Sequence, residues 1–299
     1  RPPRVIPDYT LPVDVLLAAD LDLDFRAERI HSSLGKLGEY VMKISLKDGR
    51  FNSSTGVTGF KGERISSEFD LNAASQPPVS KLRINAKDLN FGYLLSSTDV
   101  TDFIEGNVNL RVDLSGTGAT RYDFLGNAEG RITIIGGPGR MKSRHIDLWA
   151  ADLIPTMLST RWQKENVTET NCLVAHIVLG EGRAKIEDLL LDTRRIRIAA
   201  SGILNLETEE LDVIVAPRPK RASLVSLANP VRIKGTLAEP EVSVTRIPRG
   251  RRLAAVGLLA GLVNPAFLIF ALSDTGTGRA NSCAAAVERA RKISGIDSE

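Results

Sequence analysis

Short stretches of alternating apolar and polar residues recur along most of the chain. The first of them has Leu21, Leu23 and Phe25 at alternate positions, and aspartate or arginine between them. Strict alternation over several residues is typical of a β-strand with one apolar face and one solvated face. The segment therefore predicts a strand of which only one side is covered.

The same alternation returns in two later parts of the chain. Residues 200–219 read as two strands that are joined by an acidic turn, 207–210, which we expect to lie in water. The apolar positions of these later segments are Val108, Leu110, Val112, Leu114, Leu204, Leu206, Leu211, Val213 and Val215. All of them predict strands with one apolar face, like the first segment.

Similar segments bring the total to about a dozen strands, and the connections between them are short. Asp48-Gly49 is typical of a two-residue hairpin turn. The glycine-rich stretches 116–118 and 136–139 also predict hairpin turns, since neither is followed by the helix start that dinucleotide binding requires. Serial hairpins favour a mainly β fold with a meandering antiparallel sheet over a βαβ fold.

Two segments break the strand pattern. Residues 144–160 have helical spacing, with Pro155 at a kink or boundary. Residues 253–272 carry no charge and would reach about 30 Å as a helix, although Asn264-Pro265 breaks the run. Three interpretations of residues 253–272 remain: a buried helical plug of the β structure, a helix that lies on a membrane, and a membrane-spanning helix. We therefore divide the chain into a β domain, 1–250, and a helical tail, 251–299, that ends in a short helix from residue 281.

Composition narrows the range of functions. The 299 residues carry a net charge of +3 and only 5 % aromatic residues, so no basic patch with stacking aromatics predicts nucleic-acid binding. The chain begins with Arg1 and has no signal-peptide pattern at its start. We expect it to be a fragment, with any anchor lying upstream of Arg1.

No catalytic constellation is recognisable in the sequence. Two cysteines and three scattered histidines have no metal-ligand spacing, so we expect neither a metal site nor a cofactor. Carboxylate pairs such as Asp20/Asp22 and Glu209/Glu210 are explained by solvation. Cys172 and Cys283 are compatible with a disulfide in an oxidising compartment or with two unpaired thiols. The sequence thus predicts a protein that is not an enzyme.

Taken in order, these segments resemble the C-terminal region of the AsmA family of Gram-negative bacteria, which is related to TamB and other bridge-like lipid-transfer proteins. No single motif is sharp, and the resemblance depends on an ordered series that covers nearly the whole chain. Its clearest pieces are "IPDYTLPVDVLLAADLDLDFRAERI", "IEGNVNLRVDLSGTG", "AEGRITIIGGPGRM", "IDLWAADLIPTML", "TNCLVAHIVLGEGRAKIEDLLLDTRRIRIAASGILNLETEELDVIVAPRPK", "PVRIKGTLAEPEVSV" and "SCAAAVERA".

The resemblance implies a fold, a location and a function. The fold would be a long, curved antiparallel β-sheet that forms a groove with an apolar lining. The protein would lie in the periplasm, anchored to the inner membrane by a segment upstream of Arg1, and would move phospholipids or support outer-membrane biogenesis. Relatives often carry cysteine at positions matching Cys172 and Cys283, which favours a disulfide that clips the tail to the sheet.

We therefore predict non-enzymatic phospholipid transfer between the inner and outer membranes, with acyl chains and a membrane surface as partners. The groove lining would comprise Leu21, Leu23, Phe25, Val108, Leu110, Val112, Leu114, Leu204, Leu206, Leu211, Val213 and Val215. The alternative is an assembly factor that binds outer-membrane proteins by strand addition. A carbohydrate-acting enzyme is disfavoured, because it would need an inward pair of carboxylates.

Overall fold

The computed structural model describes residues 4–6, 9–32, 35–59, 62–90, 104–142, 167–194, 196–220, 230–244 and 282–296. The predicted mainly β fold is confirmed. The strands are β1 Leu21–Ala27, β2 Ile30–Ser32, β3 Gly35–Lys47, β4 Arg50–Gly59, β5 Arg64–Asn72, β6 Val79–Asn90, β7 Ile104–Thr117, β8 Glu129–Lys142, β9 Val167–Gly180, β10 Arg183–Thr193, β11 Ile196–Asn205, β12 Glu210–Pro219, β13 Val231–Thr236 and β14 Pro240–Val244.

Three short helices accompany the strands in the described part of the chain: α1 Val13–Ala18, α2 Arg121–Gly126 and α3 Ser282–Ser294. None of these helices is long and apolar enough to cross a bilayer. The helical segments predicted at 144–160 and 253–272 lie outside the described residues.

All fourteen strands belong to one open, curled antiparallel sheet. From β3 onward, each strand pairs with the next strand in the sequence. At the first edge, β1 and β2 pair with β3 one after the other, so that Leu21 faces Leu46 and Ile30 faces Leu37. Tight turns join most of the described pairs, and such turns can connect only adjacent antiparallel strands.

Two of these turns have left-handed backbone conformations at both central residues. Asp48 and Gly49 have φ of 49° and 71°, and Glu181 and Gly182 have φ of 49° and 70°. This pair of positive φ values defines the type I′ turn, whose twist matches that of the flanking strands. The predicted Asp48-Gly49 turn is therefore present, and a second turn of the same kind joins β9 to β10.

The prediction of a turn at residues 136–139 is wrong. Strand β8 continues through these glycines to Lys142, and its pairing with β7 shifts between Gly106 and Val108. Gly106 has a φ of +149°, which side-chain-bearing residues rarely adopt. The glycines therefore mark an irregularity in the ladder, which is the other common meaning of glycine within a strand.

The meander gives the sheet two margins, because successive connections alternate between its ends. We call the margin with the β3–β4, β5–β6, β7–β8, β9–β10, β11–β12 and β13–β14 connections the turn margin. The far margin is the opposite one, where β8, β10 and β12 end.

Candidate functional site

The register of the sheet aligns apolar side chains into rows on one face, because residues directly opposite each other share a face. One row runs from β1 to β12 and another from β1 to β14. The first includes Leu23, Ile44, Phe69, Leu82, Leu114, Leu179, Leu204 and Leu211. The second includes Phe25, Met42, Ile84, Val112, Ile132, Ile177, Ile186, Val213, Ile233 and Val242. We call this side of the sheet the apolar face.

Eleven of the twelve predicted lining residues lie in strands on the apolar face. They are Leu21, Leu23 and Phe25 in β1, Val108, Leu110, Val112 and Leu114 in β7, Leu204 in β11, and Leu211, Val213 and Val215 in β12. Leu206 differs, because it follows β11 in a turn and is buried in a cluster with Leu179 and Ala184. Segments that are remote in sequence thus share one surface.

Most large side chains of the apolar face are only half-buried. Phe51, Phe69, Leu82, Leu110 and Val213 are of this kind, and at the β1 edge Leu21 is 48 % exposed. In a β-sandwich, a second sheet about 10 Å away would cover such residues and bury them. Fully buried residues on this face form clusters around Val108 and around Leu179, and others, such as Leu46, Leu71 and Val231, lie between them and towards the edges. Much of the apolar face is therefore accessible to a ligand.

The opposite side of the sheet, which we call the polar face, carries cross-strand ion pairs. Lys43 lies 3.6 Å from Asp24, Arg83 lies 2.7 Å from Glu68, and Arg232 lies 2.6 Å from Asp212. Hydrogen bonds from Arg232 outweigh the effect of burial and lower the pKa of the Asp212 carboxyl. Exposed pairs of this kind stabilise a fold only slightly. Their main consequence is that the two faces differ sharply in polarity.

In the part of the chain that the structure describes, helix α3 covers an apolar cluster on the polar face. Ile135, Val174 and Leu190 form its floor, and Ala286, Val287 and Ala290 of α3 pack on them. The helix is joined to the sheet by a disulfide between Cys172 in β9 and Cys283. Arg289 of α3 also lies 3.8 Å from Asp188. The described end of the chain therefore packs away from the apolar face.

The turn margin is covered by the N-terminal segment, which we define as residues 4–6 and 9–18, together with α2. The backbone of this segment donates from Leu11 N to the Ala119 carbonyl, and its Tyr9 carbonyl accepts from Arg121 N. Leu125 of α2 packs on the Leu179 cluster of the apolar face. Protein therefore covers this end of the apolar face around the β7–β8 and β11–β12 connections.

Helix α2 begins with a capping box. The hydroxyl of Thr120 accepts from Asp123 N at 3.0 Å, and the Asp123 carboxylate accepts from Thr120 N at 3.2 Å. The motif T-x-x-D at these positions is a variant of the usual helix-start signal, S/T-x-x-E/Q, and could have revealed the helix from sequence. The hairpin turn predicted at 116–118 lies just before this motif, and α2 was not predicted.

Glu209 fixes the N-terminal segment to the β11–β12 turn. Its side chain is buried, with 1 % of its surface exposed. The two carboxylate oxygens accept from Val5 N at 2.8 Å and from Ile6 N at 3.0 Å. The Tyr122 hydroxyl lies 3.0 Å from the same carboxylate, and the Arg4 guanidinium lies over the Tyr122 ring. One carboxylate thus joins three parts of the chain that are remote in sequence.

The prediction that Glu209 is a solvated turn residue is therefore wrong. Burial acts to raise the pKa of its carboxyl, but the hydrogen bonds from Val5, Ile6 and Tyr122 and the charge of Arg4 outweigh burial and lower the pKa. The N-terminal donors lie more than 200 residues away in sequence. No local pattern could have paired them with this glutamate.

The described residues contain no group of three or more His, Cys, Asp or Glu side chains that is arranged to hold a metal ion. His176 is buried, and its Nδ1 lies 3.0 Å from the Thr133 hydroxyl. His145 and Asp147 lie outside the described residues.

Comparisons with known proteins agree with the architecture. The model of the AsmA family matches residues 11–189. The chain is 24 % identical over 290 residues to the AsmA family protein YhjG of Escherichia coli (strain K12). The aligned region covers 97 % of this chain but 42 % of that relative, so the chain spans about two fifths of its length. No solved structure matches the chain.

Proposed function

This chain belongs to the AsmA family, and we propose on that premise that it carries phospholipids between the inner and outer membranes without catalysing a reaction. The observation that carries the proposal is the apolar face, whose rows cross the sheet while many of their side chains stay half-exposed. A soluble protein rarely leaves a large apolar surface uncovered unless that surface binds something.

The dimensions of the apolar face suit an acyl chain. Along β7, the residues Leu114, Val112, Leu110 and Val108 extend over about 20 Å, at ~3.4 Å per residue. One leaflet of a bilayer provides about 15 Å of hydrocarbon depth, half of a ~30 Å core. Each methylene removed from water contributes about 0.8 kcal/mol, so a long chain on this surface can compete with a bilayer.

The proposed location is the periplasm, with an anchor in the inner membrane. The disulfide between Cys172 and Cys283 supports an oxidising compartment. The chain spans only 42 % of the length of its relative. The activity and partners of the whole protein are therefore proposed here together with its location.

The test is recovery of bound lipid. The purified chain is extracted with organic solvent, and phospholipid per protein is quantified by mass spectrometry. Val213→Glu places a carboxylate on the apolar face, whereas Ile214→Glu places it at the next position, on the polar face. We expect Val213→Glu to lose most of the bound phospholipid, because desolvating a charge beside an acyl chain is costly. We expect Ile214→Glu to retain it.

Circular dichroism and thermal unfolding establish that both variants fold. The proposal fails if the unmodified chain is reproducibly free of phospholipid, or if folded Val213→Glu and Ile214→Glu carry equal amounts.

The sheet edges bear on the alternative, an assembly factor that binds outer-membrane proteins by strand addition. Strand β14 begins at Pro240 and carries Glu241, and β1 alternates its apolar residues with Asp22 and Asp24. Charges and prolines at edges are common protections against strand addition. Both edges therefore favour lipid carriage over this alternative.

A further inference from the structure

The two margins of the sheet differ in charge. The turn margin carries a carboxylate in most of its connections: Asp48 in β3–β4, Asp123 in β7–β8, Glu181 in β9–β10, Glu207 and Glu209 in β11–β12, and Glu239 in β13–β14. At the far margin, the ends of strands β8 to β12 instead carry six basic residues: Arg140, Lys142, Arg194, Arg197, Arg218 and Lys220. The antiparallel meander is what collects these separate stretches of sequence at one side.

Among the described residues, three acidic ones lie beside the six basic ones: Asp192, Glu169 and, in β7 directly opposite Arg140, Glu105. Asp192 is buried and accepts from Arg197 Nε at 3.1 Å and from Lys220 Nζ at 2.8 Å. Arg194 lies 3.8 Å from Glu169, and three quarters of its side chain is exposed. Asp192 therefore holds two cations in place, and the margin keeps an excess of positive charge.

The apolar face reaches this same margin. Leu173, Leu191, Ile198 and Pro217 stand opposite one another in a row close to the ends of β10 and β12. At the turn margin, α2 and the N-terminal segment cover the corresponding rows. Hence the turn margin, which α2 and the N-terminal segment cover, is acidic. The far margin, where the apolar rows reach the strand ends, is basic.

We propose that the far margin of β8–β12 docks on an anionic phospholipid bilayer surface, with its basic residues against the phosphate headgroups. Docking in this orientation brings the apolar face next to the bilayer at its basic margin and turns the acidic margin away. Each basic residue near an anionic surface strengthens binding by about fivefold. This inference rests on the proposed function in one respect. Only if the protein carries lipid does the docked surface become the place where lipid enters or leaves the apolar face.

The experiment is flotation of the whole chain with vesicles of phosphatidylcholine, with and without added phosphatidylglycerol. The far-margin variant combines Arg140→Gln and Arg194→Gln, both exposed, which leaves the Asp192 network intact. The matched control combines Lys47→Gln and Arg183→Gln, exposed residues next to turn-margin connections. Both variants lose two positive charges.

We expect the unmodified chain to bind the anionic vesicles, and high salt to release it, because exposed charges are screened. The far-margin variant should bind about 25-fold more weakly, at about fivefold per charge. The control should change by less than threefold. Equal losses in both variants, or no preference of the unmodified chain for anionic vesicles, would overturn the proposal.

The same variants separate this inference from the proposed function. Val213→Glu should float with anionic vesicles as the unmodified chain does, yet carry little phospholipid. The far-margin variant should retain bound phospholipid yet fail to float. If neither the unmodified chain nor any variant carries phospholipid, but the flotation results are as expected, the carrier function is refuted and the docking surface is supported.

Discussion

The buried Glu209 allows a sharp prediction about how the turn margin is closed. In Glu209→Gln, the amide oxygen can replace the oxygen that accepts from Ile6 N and faces Tyr122. The amide nitrogen then takes the place of Oε2, which accepts from Val5 N at 2.8 Å. Two donors would face each other in a buried site, and the negative charge near Arg4 would be lost.

The expected cost follows from these contacts. A hydrogen bond to a charged group contributes about 1.5–3 kcal/mol, and a buried donor left without an acceptor costs a further 1–3 kcal/mol. We expect Glu209→Gln to destabilise the attachment of the N-terminal segment by about 3 kcal/mol. The neighbouring Glu210→Gln is the control, because Glu210 is exposed and exposed substitutions stay within about 0.5 kcal/mol.

Hydrogen–deuterium exchange of the peptide covering residues 4–18 measures this attachment directly. A loss of 3 kcal/mol corresponds to about 100-fold faster exchange, since 1.4 kcal/mol is a factor of ten. Peptides from the centre of the sheet, such as those of β8 and β9, should be unaffected. If residues 4–18 exchange equally fast in Glu209→Gln and Glu210→Gln, the carboxylate does not hold the segment and the reasoning is refuted.

The pH dependence has a definite sign. The pKa of Glu209 is lowered in the folded protein from an ordinary value near 4.5. The carboxylate therefore contributes stability that is fully present above that value and is lost as pH falls through the lower, folded pKa. Exchange in residues 4–18 of the unmodified chain, corrected for intrinsic rates, should be constant from pH 7 to 6 and rise at acid pH. The difference from Glu209→Gln should shrink over the same acid range.

Two further predictions concern the disulfide and one turn. Replacing Cys172 and Cys283 by alanine should lower the free energy of unfolding by up to about 4–5 kcal/mol, because the bond closes a loop with a sequence separation of 111. Denaturant unfolding measures this loss. Equal stability of the unmodified chain with and without reductant would contradict the prediction. Gly182→Ala should cost about 1–3 kcal/mol, because φ is +70° and an added Cβ would strike the Gly126 carbonyl. Gly180→Ala has open space at its Cβ and should be nearly neutral when both variants are compared by denaturant unfolding.

Alternation alone determined the strands and their two faces. Spacing predicts one apolar face for each strand that contains Leu21, Leu23, Phe25 and the later apolar positions, and the register places eleven of the twelve on one side of the sheet. The alternation has a simple cause. Side chains alternate with period two in every strand, and short turns leave adjacent antiparallel pairing as the only connection.

Local sequence could not distinguish between two meanings of glycine. Residues 136–139 were assigned to a turn, yet they continue β8 past an irregularity in its pairing with β7. Glycine favours both structures for the same reason, its freedom in φ. Only the neighbouring strand decides which of the two forms.

The sequence by itself thus determined the fold class and the amphipathic character of the sheet, because both depend on contacts within or between consecutive strands. The tertiary structure alone decided that Glu209 binds Val5 and Ile6, that α3 covers Ile135 and Val174, and that basic residues from β8, β10, β11 and β12 share one margin. These arrangements bring together residues that are far apart along the chain. Their energies depend on burial and on distance in space, which the order of residues does not record.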